Sequence, residues 1–555
     1  MLSRIGAAVD AQTGWLSALD KRLTAPVRPS LGRALLPAIV AIFALEAFTG
    51  LALAFHYAPT ATDAWASVHR IEQRVALGAL LRGAHAAGTV ALIVLLGLAV
   101  VHGVATAAWR RRGLGWLGLI GLLGVLPLFP MTGNLLPWDE TGYWQTEVEA
   151  AIIGNVPALG DTARAVALGG AEIGSATLTR YYAAHTLLLP ALFLVPLTLA
   201  WVGLRRARPE SPEEGAPPYF PRQYLLELGV AAAGVAAVFV AGWLLPAPLG
   251  APGDPTSPID ARPEWYFMPL YALRKALEGP LEIVGTAVIP GALITLLAAL
   301  PVLDPDGKRR WGFAALLGAG VAALGALSGI AMAQDSDNAS YQRDRERVAL
   351  RAAIAKEYAA ETPPGIDGNV PLFEGYRLFV REGCGECHSS RVSQTEVPKA
   401  PDLRGFLSRP WLDRFLVNPS HPAHFGPTKL DHSEEAGTGM PPYDQLPAPV
   451  RAGLVEFLVS LRGAAHDAPL AASGKVTFEA ECSGCHDLAG NAGGGPHLRG
   501  YGSVAWISSV ILDPDHETLY GELGRDMPDF PHLDARQRAA IASWLLHEGA
   551  KGKLE

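Results

Sequence analysis

"RGAHAAGTVALIVLLGLAVVHGV", Arg82–Val104, is the stretch whose reading decides the fold. It is long and apolar enough to cross a hydrocarbon core, yet it carries two histidines, His85 and His102, seventeen residues apart. Ionisable side chains inside a membrane are costly and persist mainly where they serve a function. Working outward, apolar segments recur at 35–56, 80–108, 115–132, 181–204, 224–246, 283–302 and 312–332. Each approaches the roughly 17–25 residues a bilayer demands, which predicts seven spans. The first follows Arg4, Lys21, Arg22, Arg28 and Arg33. It is too long for the core of a signal peptide and no small-residue cleavage site follows, so it reads as a retained span.

Composition agrees. Half of the 555 residues are hydrophobic and 18% are charged. The net charge of −8, without a long basic run, excludes nucleic acid as a partner. Basic clusters fall at the N-terminus, at Arg110–Arg112, at Arg205–Arg208 and at Lys308–Arg310. These are alternate loops, so they share one side, which the positive-inside rule makes the cytoplasm. An odd number of spans then puts everything after 335 outside. The loops 57–79, 133–180 and 247–282 face outside as well. Beyond 335 the chain turns polar, with a helix expected at 341–360 and a Pro-Pro-Gly break at 363–365.

The only four cysteines, Cys384, Cys387, Cys482 and Cys485, form two Cys-x-x-Cys-His motifs ending in His388 and His486. Nothing remains for disulfides or a cysteine-ligated cluster. Such a motif takes up haem through two thioethers and lends its histidine to iron. Bacteria attach this haem outside the cytoplasm, where the span count places the motifs. Met440 in "GTGMPPYDQLP" and Met527 in "GRDMPDFP" follow the two motifs and read as distal ligands, one in each repeat. A thioether opposite imidazole raises the potential. Each repeat opens with a helix and closes with an amphipathic one, 446–462 and 534–547; the offset of the motifs is 98 residues. His497, His516, His532 and His547 read as surface residues.

Between 34 and 335 the histidines are His56, His69, His85, His102 and His185. The spans bearing His85 and His185 both enter from outside, so these two lie at one depth and suit a bis-histidine haem b.

Here the sequence resembles the cytochrome b family of bc1 and b6f quinol oxidases, with b6 followed by subunit IV in one chain. The resemblance covers about 20–333 and rests on "LLRGAHAAG", "TGNLLPWDETGYW", "SATLTRYYAAHT" and "RPEWYFMPLYALRK". It implies a mostly α protein: a seven-span bundle of cytochrome b type, then two small all-α class I cytochrome c domains. The parts are a cytoplasmic-side segment 1–33, a b6-like four-helix haem-binding domain 34–222, a subunit IV-like three-helix domain 223–335 with the quinol loop, a linker 336–371, and cytochrome c domains 372–466 and 467–555. By resemblance, Glu264 accepts a proton from quinol with Tyr266 beside it.

One departure stands out. The family has an inner haem whose ligands would fall fourteen residues past His85, at Ala99, and fourteen or fifteen past His185, at Leu199 or Ala200. None offers a lone pair. His102 is no substitute, because three residues further on means a rotation of about 300° and a shift of about 4.5 Å. It reads as a polar group at the cytoplasmic rim. The expected inventory is one haem b, on His85 and His185, with no second, and two covalent haems c. One haem c is on Cys384, Cys387, His388 and Met440; the other is on Cys482, Cys485, His486 and Met527.

The expected function is quinol oxidation at an outer site of a bacterial cytoplasmic membrane. Electrons pass to haem b and the c haems, and on to a soluble cytochrome or terminal oxidase. A Rieske iron–sulfur protein would be a separate partner, and the resemblance implies a homodimer within a larger complex. Two alternatives stay open: a non-bifurcating conduit, and a scaffold whose quinol chemistry lies elsewhere.

Overall fold

The computed structural model describes residues 23–110, 112–156, 158–206, 216–277, 279–361, 371–391, 399–425, 439–520 and 527–551. Arg4, Lys21, Arg22, Arg111, Arg208 and the Pro-Pro-Gly break lie outside them. The described residues are mostly helical and contain no strand. The chain divides into two compact units, 1–356 and 357–555.

Among the described residues, seven helices are long and apolar enough to cross a membrane, all in the first unit. In chain order, α1 is Leu31–Ala54, α2 Ala64–Arg74, α3 Gly78–Ala105 and α4 Gly113–Val125, continued by the short α5 Leu128–Gly133. Next come α6 Glu140–Gly154, α7 Gly160–Leu168, α8 Ser175–Ala183 and α9 Leu189–Arg206. A π-helical turn, Ala184–Leu188, joins α8 to α9 and contains His185. Such turns re-aim side chains and cluster at functional sites. Then follow α10 Arg222–Leu244, α11 Met268–Ala276, α12 Ile289–Leu303, α13 Arg310–Asp337 and α14 Ala339–Glu361.

The second span starts earlier than the apolar run suggests. Arg82 lies inside α3, paired with Glu72 and donating to the carbonyls of Ala247 (2.8 Å) and Pro248. These partners let the helix carry a charge in its second turn, so His85 sits two turns in.

Five membrane helices, α1, α3, α4, α9 and α10, share one apolar core with Leu36, Ile39, Ile42, Leu92, Leu96, Ala99, Leu122, Phe193, Leu197, Ala200 and Val238 buried. A Cβ on Gly118 would stand 2.3 Å from the Ala200 nitrogen, and one on Gly203 2.2 Å from the Gly115 nitrogen. Small residues thus let α4 and α9 meet backbone to backbone, the usual way membrane helices gain packing. Leu199 points away from this core, 41% exposed. The segments between α1 and α3 and between α5 and α9 form a second core around Leu135, Trp138, Tyr143, Leu168, Leu178 and Tyr181.

The second unit contains α15 Pro371–Arg381, α16 Arg409–Val417, α17 Ala448–Leu461, α18 Ala468–Glu481, α19 Val504–Leu512 and α20 Ala535–Lys551. Here the structure departs from two self-contained repeats. The opening helix α15 packs on α20, which closes the second repeat, and α18, which opens the second repeat, packs on α17, which closes the first. Phe379 and Tyr376 meet Trp544 with ring centres 4.8 and 6.0 Å apart; Phe457 meets Phe478 at 5.2 Å. The reason is local. A short connection makes its two flanking helices, α17 and α18, antiparallel neighbours. A Cβ on Gly474 would lie 1.9 Å from the Gly453 oxygen, so only glycine allows this approach.

Candidate functional site

His85 on α3 and His185 in the π turn face each other with ring centres 6.1 Å apart and planes 68° apart. Two imidazoles whose nitrogens each stand about 2 Å from one metal have ring centres about 6 Å apart, so the pair fits a single iron. The outer ring atoms are already engaged. Nδ1 of His85 lies 3.0 Å from Thr49 Oγ1 and 3.1 Å from a Glu46 carboxylate oxygen. Nδ1 of His185 lies 3.1 Å from Thr132 Oγ1 and 3.2 Å from the Phe129 carbonyl. A carbonyl can only accept, so His185 carries its proton on Nδ1 and keeps the Nε2 lone pair for a metal. Such outer partners orient metal-binding histidines. A glycine follows each threonine: a Cβ on Gly50 would come within 3.1 Å of His85 Cε1, and one on Gly133 within 2.8 Å of His185 Cε1.

His102 stands apart from this pair. A Cβ on Gly32, near the start of α1, would lie 2.0 Å from its Nε2.

From His185 the chain of contacts runs outward. Asn134, the residue after Gly133, donates from Nδ2 to Glu264 at 2.6 Å. Glu264 is half-buried and its carbonyl accepts from the nitrogens of Phe267 (2.8 Å) and Met268 (3.2 Å), which start α11. Its loop is anchored by Arg262, bidentate to Asp335 at 2.8 and 2.9 Å and stacked on Tyr271 and Tyr341. Gln145 on α6 donates to the Arg262 carbonyl at 2.7 Å. One turn on, Glu149 faces the same cluster. Burial, and then the charge of Glu264, push Glu149 up to about 8; burial likewise raises Glu264. Burial first, then Glu264 and Glu149, raise the Tyr266 phenol, which stays protonated. Sequence reasoning named Glu264 and Tyr266, which the structure places in this cluster, and did not name Glu149, Thr49, Thr132 and Glu46. The Thr-Gly dipeptides at 49–50 and 132–133 were the available signal.

The matching family models are "Cytochrome b/b6/petB" over residues 31–207 and "Cytochrome b(C-terminal)/b6/petD" over 252–332. Cytochrome b6 of Mastigocladus laminosus is 34% identical over 165 residues, 30% of this chain and 77% of that protein. The chain belongs to the cytochrome b/b6 family. Cytochrome b6 of Cyanidium caldarium is 32% identical over 165 residues, again 30% of this chain and 77% of that protein. A chain of a solved "Hyperthermophilic respiratory Complex III" shares the fold: TM-score 0.52, 22% identity, 65% of this chain and 98% of that chain covered. Residues 469–545 match the model "Cytochrome C oxidase, cbb3-type, subunit III". This cytochrome b/b6 protein is therefore a multi-pass, haem-binding electron-transfer subunit with a cytochrome c region at its C-terminus.

In that region both motif histidines are held alike. Nδ1 of His388 donates to the Pro401 carbonyl and Nδ1 of His486 to the Pro496 carbonyl, each at 2.8 Å, leaving both Nε2 atoms for iron. One cavity of about 840 Å³ is lined by Cys384, His388, Met440, Cys482, His486 and Met527 together. His516 and His532 are exposed as expected; His497 and His547 are half-buried.

Proposed function

We propose that this chain oxidises quinol at an outer-side site beside Glu264 and passes electrons through one haem b, on His85 and His185, and two haems c. The observation that supports it is the short path His185–Gly133–Asn134–Glu264: Gly133 lies against the His185 ring, and Asn134, which follows it, is hydrogen-bonded to the Glu264 carboxylate. His85 and His185 would hold a haem, which would supply a one-electron acceptor. Glu264 takes a proton from a quinol hydroxyl; its raised pKa suits holding that proton near neutral pH. Glu149 is placed to receive it next. The Tyr266 phenol donates a hydrogen bond to the quinol oxygen. Quinol gives up two electrons and two protons: one proton goes to Glu264, the other to the outside water, and the second electron to a separate Rieske partner. The c haems face the outside of a bacterial cytoplasmic membrane and serve a soluble cytochrome or terminal oxidase. The chain works as a homodimer in a larger complex.

A second reading is favoured by the inner half of the bundle. Ala99 and Ala200 sit there among Leu96, Leu122, Phe193 and Leu197. With no inner carrier the chain is a non-bifurcating conduit. Glu264→Gln tests catalysis: quinol oxidation is lost while both haem types remain. Unchanged oxidation would leave the conduit or scaffold reading.

A further inference from the structure

The geometry points to an exchange of distal ligands between the two cytochrome c repeats: Met527 serves the haem on Cys384, Cys387 and His388, and Met440 serves the haem on Cys482, Cys485 and His486. This rests on the reading that each motif holds a haem, and it reverses the pairing by repeat.

Two independent contacts carry it. Tyr443 follows Met440 by three residues. Its hydroxyl donates to the carbonyl of Glu481 at 3.1 Å, immediately before Cys482 and on the other repeat's motif. His532 follows Met527 by five residues. Its Nε2 meets the Glu382 carboxylate at 2.8 Å, two residues before Cys384, again across repeats. The methionine loops therefore lie crosswise, each at the opposite motif.

The helices agree. In each half of the unit the helix entering a Cys-x-x-Cys-His packs on the closing helix of the other repeat: α15 on α20, and α18 on α17. Each methionine loop leads directly into its closing helix, so it travels with that helix. Tyr443 and Phe530 hold equivalent places, their backbone nitrogens donating to Leu416 and Ile511 at 2.8 and 3.2 Å, the last turns of α16 and α19. The two crossings are thus related by a pseudo-twofold exchange of C-terminal halves. The proximal histidines stay with their own repeats through Pro401 and Pro496. Each iron then draws its two axial ligands from different repeats, and the shared cavity follows.

The test uses the full chain with one haem removed at a time. In Cys482→Ala/Cys485→Ala the only covalent haem is on Cys384 and Cys387. In that background Met527→His abolishes the sulfur-to-iron charge-transfer band and lowers the haem potential, whereas Met440→His leaves both unchanged. Cys384→Ala/Cys387→Ala gives the mirror result. Loss of the band on the in-repeat substitution, or on neither, overturns the exchange. If a background does not fold, a protease site within Gly463–His466 of the diheme chain answers instead. Fragments that part on cutting overturn the proposal; fragments that co-migrate with both bands intact support it. Absence of covalent haem in the parent chain would sink the haem reading and the exchange with it.

Discussion

The outer and inner halves of the α1–α3–α4–α9 bundle are built from the same helices and have opposite contents. In the outer half, two histidines face each other, each backed by a threonine hydroxyl and flanked by a glycine. In the inner half, Ala99 and Ala200 stand at the corresponding level, and α4 and α9 close on each other through Gly115, Gly118 and Gly203. The scaffold is common; a few side chains decide whether a level holds a cofactor or is packed shut. This is the sense in which function is grafted on a fold rather than implied by it.

Five measurements break or sharpen the contrast. The largest effect is from His85→Ala, which abolishes the b-type difference spectrum and leaves the c-type spectrum intact; a surviving b band would mean the outer level is not ligated by this pair. Thr49→Val keeps the ligand but removes its hydroxyl partner, and b-haem affinity falls about 10-fold, read by haem titration of the apo-membrane form. Smaller still is the effect of Glu149→Gln. Quinol oxidation rises with pH as Glu149, at about 8, and Glu264 lose their protons and become able to accept the quinol's. The charge of Glu264 is what helps raise Glu149, so Glu149→Gln removes the part of the rise near pH 8 and leaves the part set by Glu264. A profile that stays put would uncouple the two carboxylates. At zero stand His102→Ala, which leaves the b spectrum unchanged, and Ala99→His/Ala200→His, which adds no second b haem because the backbones of α4 and α9 already touch. A pyridine haemochrome ratio of one b to two c in that double variant checks it; two b would show the inner level can open.

The seven spans were legible because twenty apolar residues in a row admit few other readings. The outer pair was legible because His85 and His185 are rare polar residues at matched depth in such runs. Thr49, Thr132 and Glu149 were not, since a hydroxyl or carboxylate gains its meaning from a partner far away in sequence. The crossed packing of α15 with α20 was hidden for a related reason. Periodicity tells which face of a helix is apolar, not which apolar face it meets; here both repeats offered acceptable partners, and the tight turn after α17 chose between them.

That crossing has a consequence for the order in which the protein is made. The hairpin of α17 and α18 joins neighbours in sequence and can close as soon as it leaves the ribosome, since local contacts form first. The opening helix α15 must wait for α20, more than 150 residues further along the chain. Its aromatic face, Tyr376 and Phe379, stays uncovered while the remainder of the unit is synthesised. The Cys482 motif therefore meets its packing helix before the Cys384 motif does, and a chain cut short before α20 leaves the earlier-made motif without its partner helix.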